Sequence, residues 1–190
     1  MNLFQEQRTI MNIFFLSWCV TTCAEQHFDK HVIKMIVELA QLLSTAHWQL
    51  NPEYKNKRRF DKQLIYKQTH VNHPSAVWVR AHINNYRYTV ALGKALCNEY
   101  YVRYGVDKQK RHATEEKINF LGRHEPHGFP EIDASIELIG PYQVTEPPQA
   151  MPDECKVDGD VIAAYRKYYQ SDAKSHLTTW KRRERPDWFE

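Results

Sequence analysis

His27, His31, Lys34, Glu38, Gln41 and Thr45 fall within about ±40° of one line when the stretch 24–46 is stepped at helical pitch. Val32, Met35, Ile36, Leu39, Leu42, Leu43 and Ala46 fill the opposite flank, and Ile33, Val37 and Ala40 close much of the rest. A helix that is apolar almost all round is normally buried. Ionisable groups on such a helix are costly unless they are paired or face a wet cleft. The narrow polar seam therefore reads as the wall of a site. Two kinds of chemistry fit its residues. A carboxylate, an amine and imidazoles together suit acid–base work. The i,i+4 spacing of His27 and His31 also lets two imidazoles reach one metal ion, with His70, His73 or Glu38 to complete the set. No H-E-x-x-H is present, and Lys34 in the same seam would repel a cation. The plainer reading is an i,i+4 ion pair between Lys34 and Glu38, worth a few tenths of a kcal/mol if exposed, beside ordinary histidines.

The elements that must position this seam can be read along the chain. Met1 to Ile10 is a polar, flexible extension, and Met11 is an alternative start. The run from Ile13 to Val20 is too short to span a bilayer. Its basic leader is thin for a signal peptide, so a buried strand feeding the seam helix fits better. That helix is expected over 22–48, with Thr21 or Thr22 as N-cap. Asn51 to Lys67 is a charged loop whose basic cluster, Lys55–Arg59, is either solvated or in contact with phosphate. A turn at Thr69–Pro74 opens a second long helix, from Ser75 to Tyr104, closed by Gly105. Arg80, Asn84 and Arg87 form a second polar line on it, while Glu99 and Arg103 make a structural i,i+4 pair. A third helix, 159–172, interleaves Tyr165, Tyr168 and Tyr169 with Arg166 and Lys167, a pattern equally suited to nucleic acid or to a core face. The tail from Trp180 to Phe189 is a basic, aromatic docking segment. The fold class expected is mainly α: one compact domain over 11–190, built on two long helices plus a C-terminal helix, with a short N-terminal strand.

Composition sets wide bounds. At 190 residues and a net charge of +3, the chain can bury a real core and permits a nucleic-acid partner without demanding one. Ten histidines, five tryptophans and eleven tyrosines suit stacking and polar-edge recognition. The four cysteines are scattered with no C-x-x-C pair, which argues against a disulfide framework or a four-cysteine zinc site and for a reducing compartment. None of the six glycines makes a phosphate-binding loop.

The order Asp29-Lys30, Lys34, Glu38, Gln41, then Asn72-His73-Pro74, Trp78-x-Arg80, and Cys97-x-Glu99 before Arg103-x-Gly105 resembles the pyrimidine-dimer DNA glycosylase superfamily of the endonuclease V type, in particular its microbial and phage branch. The resemblance covers 11–105 and, loosely, the tail. It implies a compact helical domain that binds duplex DNA, flips out a nucleotide and cuts its glycosidic bond. The family's nucleophile is the N-terminal α-amine, which forms a Schiff base with the sugar while a glutamate on the first long helix assists. This sequence departs from that pattern twice. Ten residues precede Met11, and Asn12 does not favour removal of that methionine, so the amine is expected to lie elsewhere. Counting from His27, the family's glutamate position is held by Lys34, and Glu38 follows one turn later.

The resemblance then distributes roles. Glu38 would stabilise an oxocarbenium-like sugar or activate water. Lys34 would protonate the leaving base, hold phosphate or replace the missing amine. His27, His31 and His73 would meet the base edge or act as acid–base groups. Lys30, Arg80 and Arg87, with Asn72, His73 and Asn84 beside them, would clamp the backbone. Trp78 would either offset the cost of unstacking or belong to the core. The expected activity is excision of a damaged or modified base in DNA repair, with or without strand cleavage. Its partner is double-stranded DNA, with no cofactor, no metal and no membrane, in the cytoplasm (of the host cell for a viral chain). The alternatives are a metal-dependent hydrolase, a non-catalytic nucleic-acid-binding module, and an enzyme that modifies a flipped nucleotide of hypermodified viral DNA.

Overall fold

The computed structural model describes residues 11–51 and 65–190. The extension 1–10 and the basic cluster Lys55–Arg59 lie outside the described residues. Within them the chain is mainly helical: α1 (Val20–Gln26), α2 (Asp29–Leu50), α3 (Pro74–Ala81), α4 (Ile83–Tyr100), α5 (Glu115–Arg123), α6 (Val161–Tyr169) and α7 (Asp172–Ser175). The β pairing found among the described residues is an isolated antiparallel bridge, Ile139 to Val144. α2 is the central element and packs against α3, α4 and α5.

The expected N-terminal strand is not formed. Residues 11–16 run as a buried segment without regular structure, and side chains satisfy its backbone where a neighbouring strand would. The Asn12 N–H donates to Glu38, the Leu16 N–H to the Cys23 sulfur, and the Leu16 carbonyl accepts from Arg166. The Cys23 thiol donates in turn to the Phe14 carbonyl. Phe15 stacks on Tyr88 with centroids 5.0 Å apart, which ties the segment to α4.

Both long helices are interrupted. The first starts at Val20, ahead of both threonines, and breaks at His27 and Phe28, whose ψ angles of 142° and 152° are extended. No glycine or proline causes this. The carbonyls freed at Glu25 and His27 accept from the Arg103 guanidinium, and the Asp29 N–H donates to the Thr179 carbonyl. The second helix breaks at His82, whose ring nitrogen accepts from the Asn84 N–H and so caps α4. Pro74 opens α3 as expected, with the His73 ring accepting from the Ser75 N–H. At its far end α4 runs into a π-helical turn, Tyr101–Gly105, which carries Arg103 inward. Gly105 is not a left-handed cap, since its φ is −97°. It is needed because a Cβ there would lie 2.2 Å from the Lys110 carbonyl oxygen.

The third helix resolves toward the core reading. Tyr165 and Tyr169 are fully buried, and Arg166 lies over the Trp188 ring. The tail docks on its own chain: the Trp180 indole donates to the Gln26 carbonyl, Phe189 packs on Phe28, and Arg183 reaches Glu99. No helix among the described residues is long and apolar enough to cross a membrane.

Candidate functional site

Glu38 sits mid-helix on α2 with 4% of its surface exposed. One carboxylate oxygen accepts the Asn12 N–H at 3.2 Å, and the other lies 2.9 Å from the Lys34 ammonium. The helical i,i+4 register sets the Lys34 contact. Asn12 is itself clamped: its side-chain oxygen accepts the Tyr165 hydroxyl at 2.6 Å and its amide donates to the Ala150 carbonyl at 2.7 Å. The carboxylate is thus held by a rigid, buried donor on one side and by a half-exposed lysine on the other.

His31, one turn before Lys34, forms the inner wall. Its Nδ1 shares a 2.6 Å hydrogen bond with the Tyr169 hydroxyl, and its ring stacks on Phe14 at 4.7 Å. Burial, reinforced by the charge of Lys174, pushes its pKa down to about 2, so the ring is neutral at ordinary pH. Lys174 comes from α7 and places its ammonium 4.8 Å from the Tyr168 ring centroid and 5.4 Å from that of Phe14. Burial and the neighbouring charge of Lys34 lower its pKa, against an opposing pull from Glu38. His176 adds to the positive field felt by His31. The result is one buried carboxylate paired with Lys34, next to a cationic and aromatic wall made by Lys174, His31, Phe14 and Tyr168.

Of the residues picked out by sequence, this site gathers Glu38, Lys34 and His31. Lys30 is exposed one turn before Lys34 on the same helix. Gln41 is half-buried farther along α2, and Thr45 exchanges hydrogen bonds with the backbone of Thr69. His27 lies a layer deeper, at the helix break. Its Nδ1 donates to the Cys23 carbonyl, its Nε2 is buried without a partner, and burial holds its pKa down to about 4. The break at His82 divides the second polar line between α3 and α4. Arg80 donates to the Val71 carbonyl, Asn84 to the Gln143 carbonyl, and Arg87 forms a two-point pair with Glu125. Asn72 is exposed in the turn that His73 caps. Trp78 is a core residue, with its indole donating to the Thr145 carbonyl.

Sequence reasoning missed Asn12, Phe14 and Lys174 as site residues, and it picked out Tyr168 and Tyr169 without connecting them to Glu38. None belongs to a local pattern with Glu38, and the fold alone brings them from both ends of the chain. The metal arrangement is not assembled: among the described residues no group of three His, Cys, Asp or Glu side chains is placed to hold an ion. A separate cleft of about 650 Å³ lies between Trp18, Ile139 and Val161, rimmed by Glu137, Glu146 and Asp160. Its charge suits a polyanion poorly. No family model, curated protein or solved structure matches this chain.

Proposed function

We propose that the chain is a DNA-binding enzyme that cleaves the N-glycosidic bond of a damaged or modified, flipped base, as its resemblance to the pyrimidine-dimer DNA glycosylases implies. The observation that carries this reading is the buried Glu38 carboxylate, paired with the half-exposed Lys34 on a helix whose preceding turns carry His31 stacked on Phe14, with Lys174 over the Phe14 and Tyr168 rings. Glycosidic cleavage builds positive charge on the sugar, which a fixed carboxylate stabilises. The flanking phosphates need cations at the rim, and an extruded base needs aromatic surface to replace its stack. The Asn12 nitrogen adds support. Its N–H donates to Glu38 at 3.2 Å and so holds the carboxylate in a fixed position.

Base release from plain, ultraviolet-irradiated and modified-base duplexes tests the proposal. Release is expected from at least one damaged or modified duplex. Glu38→Gln should reduce it by about 10²-fold or more, the usual size of a lost acid–base group. Salt-sensitive binding with no release from any duplex would leave a nucleic-acid-binding module instead.

A further inference from the structure

We propose that the cleft beside Trp18 binds a linear polyamine, a short alkyl chain carrying three ammonium groups, at a site separate from Glu38. Its volume of about 650 Å³ is that of a small-molecule site. Much of its wall is apolar. Val161, at the start of α6, is buried, Ile139 and Trp18 are half-buried, and Ile136 lines the cleft while 47% exposed. An alkyl chain laid here would remove the Ile136 side chain from water. The wall is also firmly set. Ile139 is held by its bridge to Val144. Gly140 follows at a φ of +68°, which suits glycine, and lets the turn press on the Trp18 indole, where a Cβ would lie 2.9 Å from Cε3.

Charge selects the ligand for this hollow. Glu137, Glu146 and Asp160 line it from three separate stretches of chain, and no Lys, Arg or His lines it among the described residues. Glu137 and Glu146 have neither a hydrogen-bond nor an ion-pair partner among those residues. Asp160 spends one carboxylate oxygen on the Ala163 N–H, as the cap of α6, and keeps the other. Like charges gathered around one hollow repel each other, and a bound cation relieves that repulsion.

The kind of cation follows from how the carboxylates are spread. They are not placed to share one metal ion, since no such group of three exists among the described residues. Their complement is therefore a molecule whose positive charge is distributed along a chain. Methylene spacers between its ammonium groups match the apolar wall between the carboxylates, and the Trp18 ring attracts an ammonium.

Spermidine titrated into the full chain at constant ionic strength tests this, read by calorimetry and by the NMR signals of the Trp18 indole and the Gly140 and Gly159 amides. Saturable one-to-one binding that shifts those signals is expected, and magnesium at the same concentration should not displace the amine. Replacing the three carboxylates together, by Glu137→Gln, Glu146→Gln and Asp160→Asn, should weaken binding by about 10-fold or more. The fold should tolerate this, because all three side chains are exposed and asparagine keeps the α6 cap. Ile136→Ser probes the apolar wall alone and should weaken binding by about threefold. Unchanged affinity in either variant would overturn the proposal. So would absence of binding, displacement by magnesium, or shifts spread over the surface without saturation, any of which would reduce the cleft to a patch of solvated acids. These outcomes are read without any DNA and leave the reading of the Glu38 site untouched.

Discussion

Two ionic clusters are buried at the ends of one stretch of α2, and they are built on opposite principles. At the N-terminal end Arg103 is fully buried, and every face of its guanidinium is used: Glu99, Asp29 and the carbonyls of Glu25 and His27 all accept from it. Arg183 adds a second cation on Glu99, and the Lys181 N–H adds a donor to Asp29. Two turns along, Glu38 has one backbone donor and one half-exposed lysine, with Lys174 held against aromatic rings nearby. The first cluster is closed, with two guanidiniums set among the Glu99, Asp29 and Glu25 carboxylates. The second is open, cationic and incompletely paired. Buried ion pairs are costly to desolvate and become tolerable when every lone pair and proton is satisfied. With four hydrogen bonds from its guanidinium, the Arg103 cluster comes near that condition and works as a structural pin at a helix break. The Glu38 cluster does not, and its unused bonding capacity is what a ligand would engage.

The largest expected effect comes from breaking the closed cluster. Arg103→Leu leaves Glu99 and Asp29 without their central partner and returns two carbonyls to an unpaired state. It should cost about 3–5 kcal/mol, the usual loss when one member of a buried ionic network is removed. Urea denaturation measures it, and a loss under about 1 kcal/mol would show that the break between α1 and α2 does not depend on this pin.

Acid should act on the histidines that lie between and beyond the clusters. Burial lowers the folded pKa of His27 and His47 to about 4 and that of His31 to about 2, from an ordinary 6.5. The unfolded chain therefore takes up these protons first. Stability is complete above pH 6.5 and falls as the pH drops toward the folded values, by about 1.4 kcal/mol per pH unit for each histidine. Denaturation midpoints between pH 7 and 5 should fall steadily, and His31→Gln should flatten that slope by about one histidine's share. An unchanged slope in the variant would mean that His31 is protonated in the folded protein.

The closed cluster was half legible in the sequence and the open one was legible in its first half only. Glu99 and Arg103 announce themselves by i,i+4 spacing, but the π-helical turn that swings Arg103 onto a helix break has no local signature. The break itself is invisible for the same reason: His27 and Phe28 are ordinary helix residues, and distant groups satisfy the backbone they release. Lys34 and Glu38 likewise follow from helical periodicity on α2. Asn12 and Lys174 approach them from the two ends of the chain, through contacts that no window of sequence contains. The tyrosines stayed undecided for a different reason. Interleaving with basic residues looks alike whether the rings face solvent or core, and only packing decides.

The smallest expected effect is the sharpest discriminator between the clusters. Glu38→Gln removes a buried negative charge, as Glu99→Gln would in the other cluster, yet the consequences should differ. In Glu38→Gln the amide oxygen can still accept the Asn12 N–H, and Lys34, already half in water, turns outward. The new amide NH2 takes the place of the oxygen that faced this ammonium, which cannot accept from it, so stability should fall by about 1–2 kcal/mol. In Glu99→Gln the buried Arg103 loses its nearest counter-charge and cannot reach water, so the loss should be larger. Parallel thermal melts of the two variants decide the matter. Equal destabilisation would mean that Glu38 is as much a structural group as Glu99. A Glu38→Gln variant that stays folded but no longer releases base would assign its carboxylate to chemistry, because the fold would have shown that it does not need it.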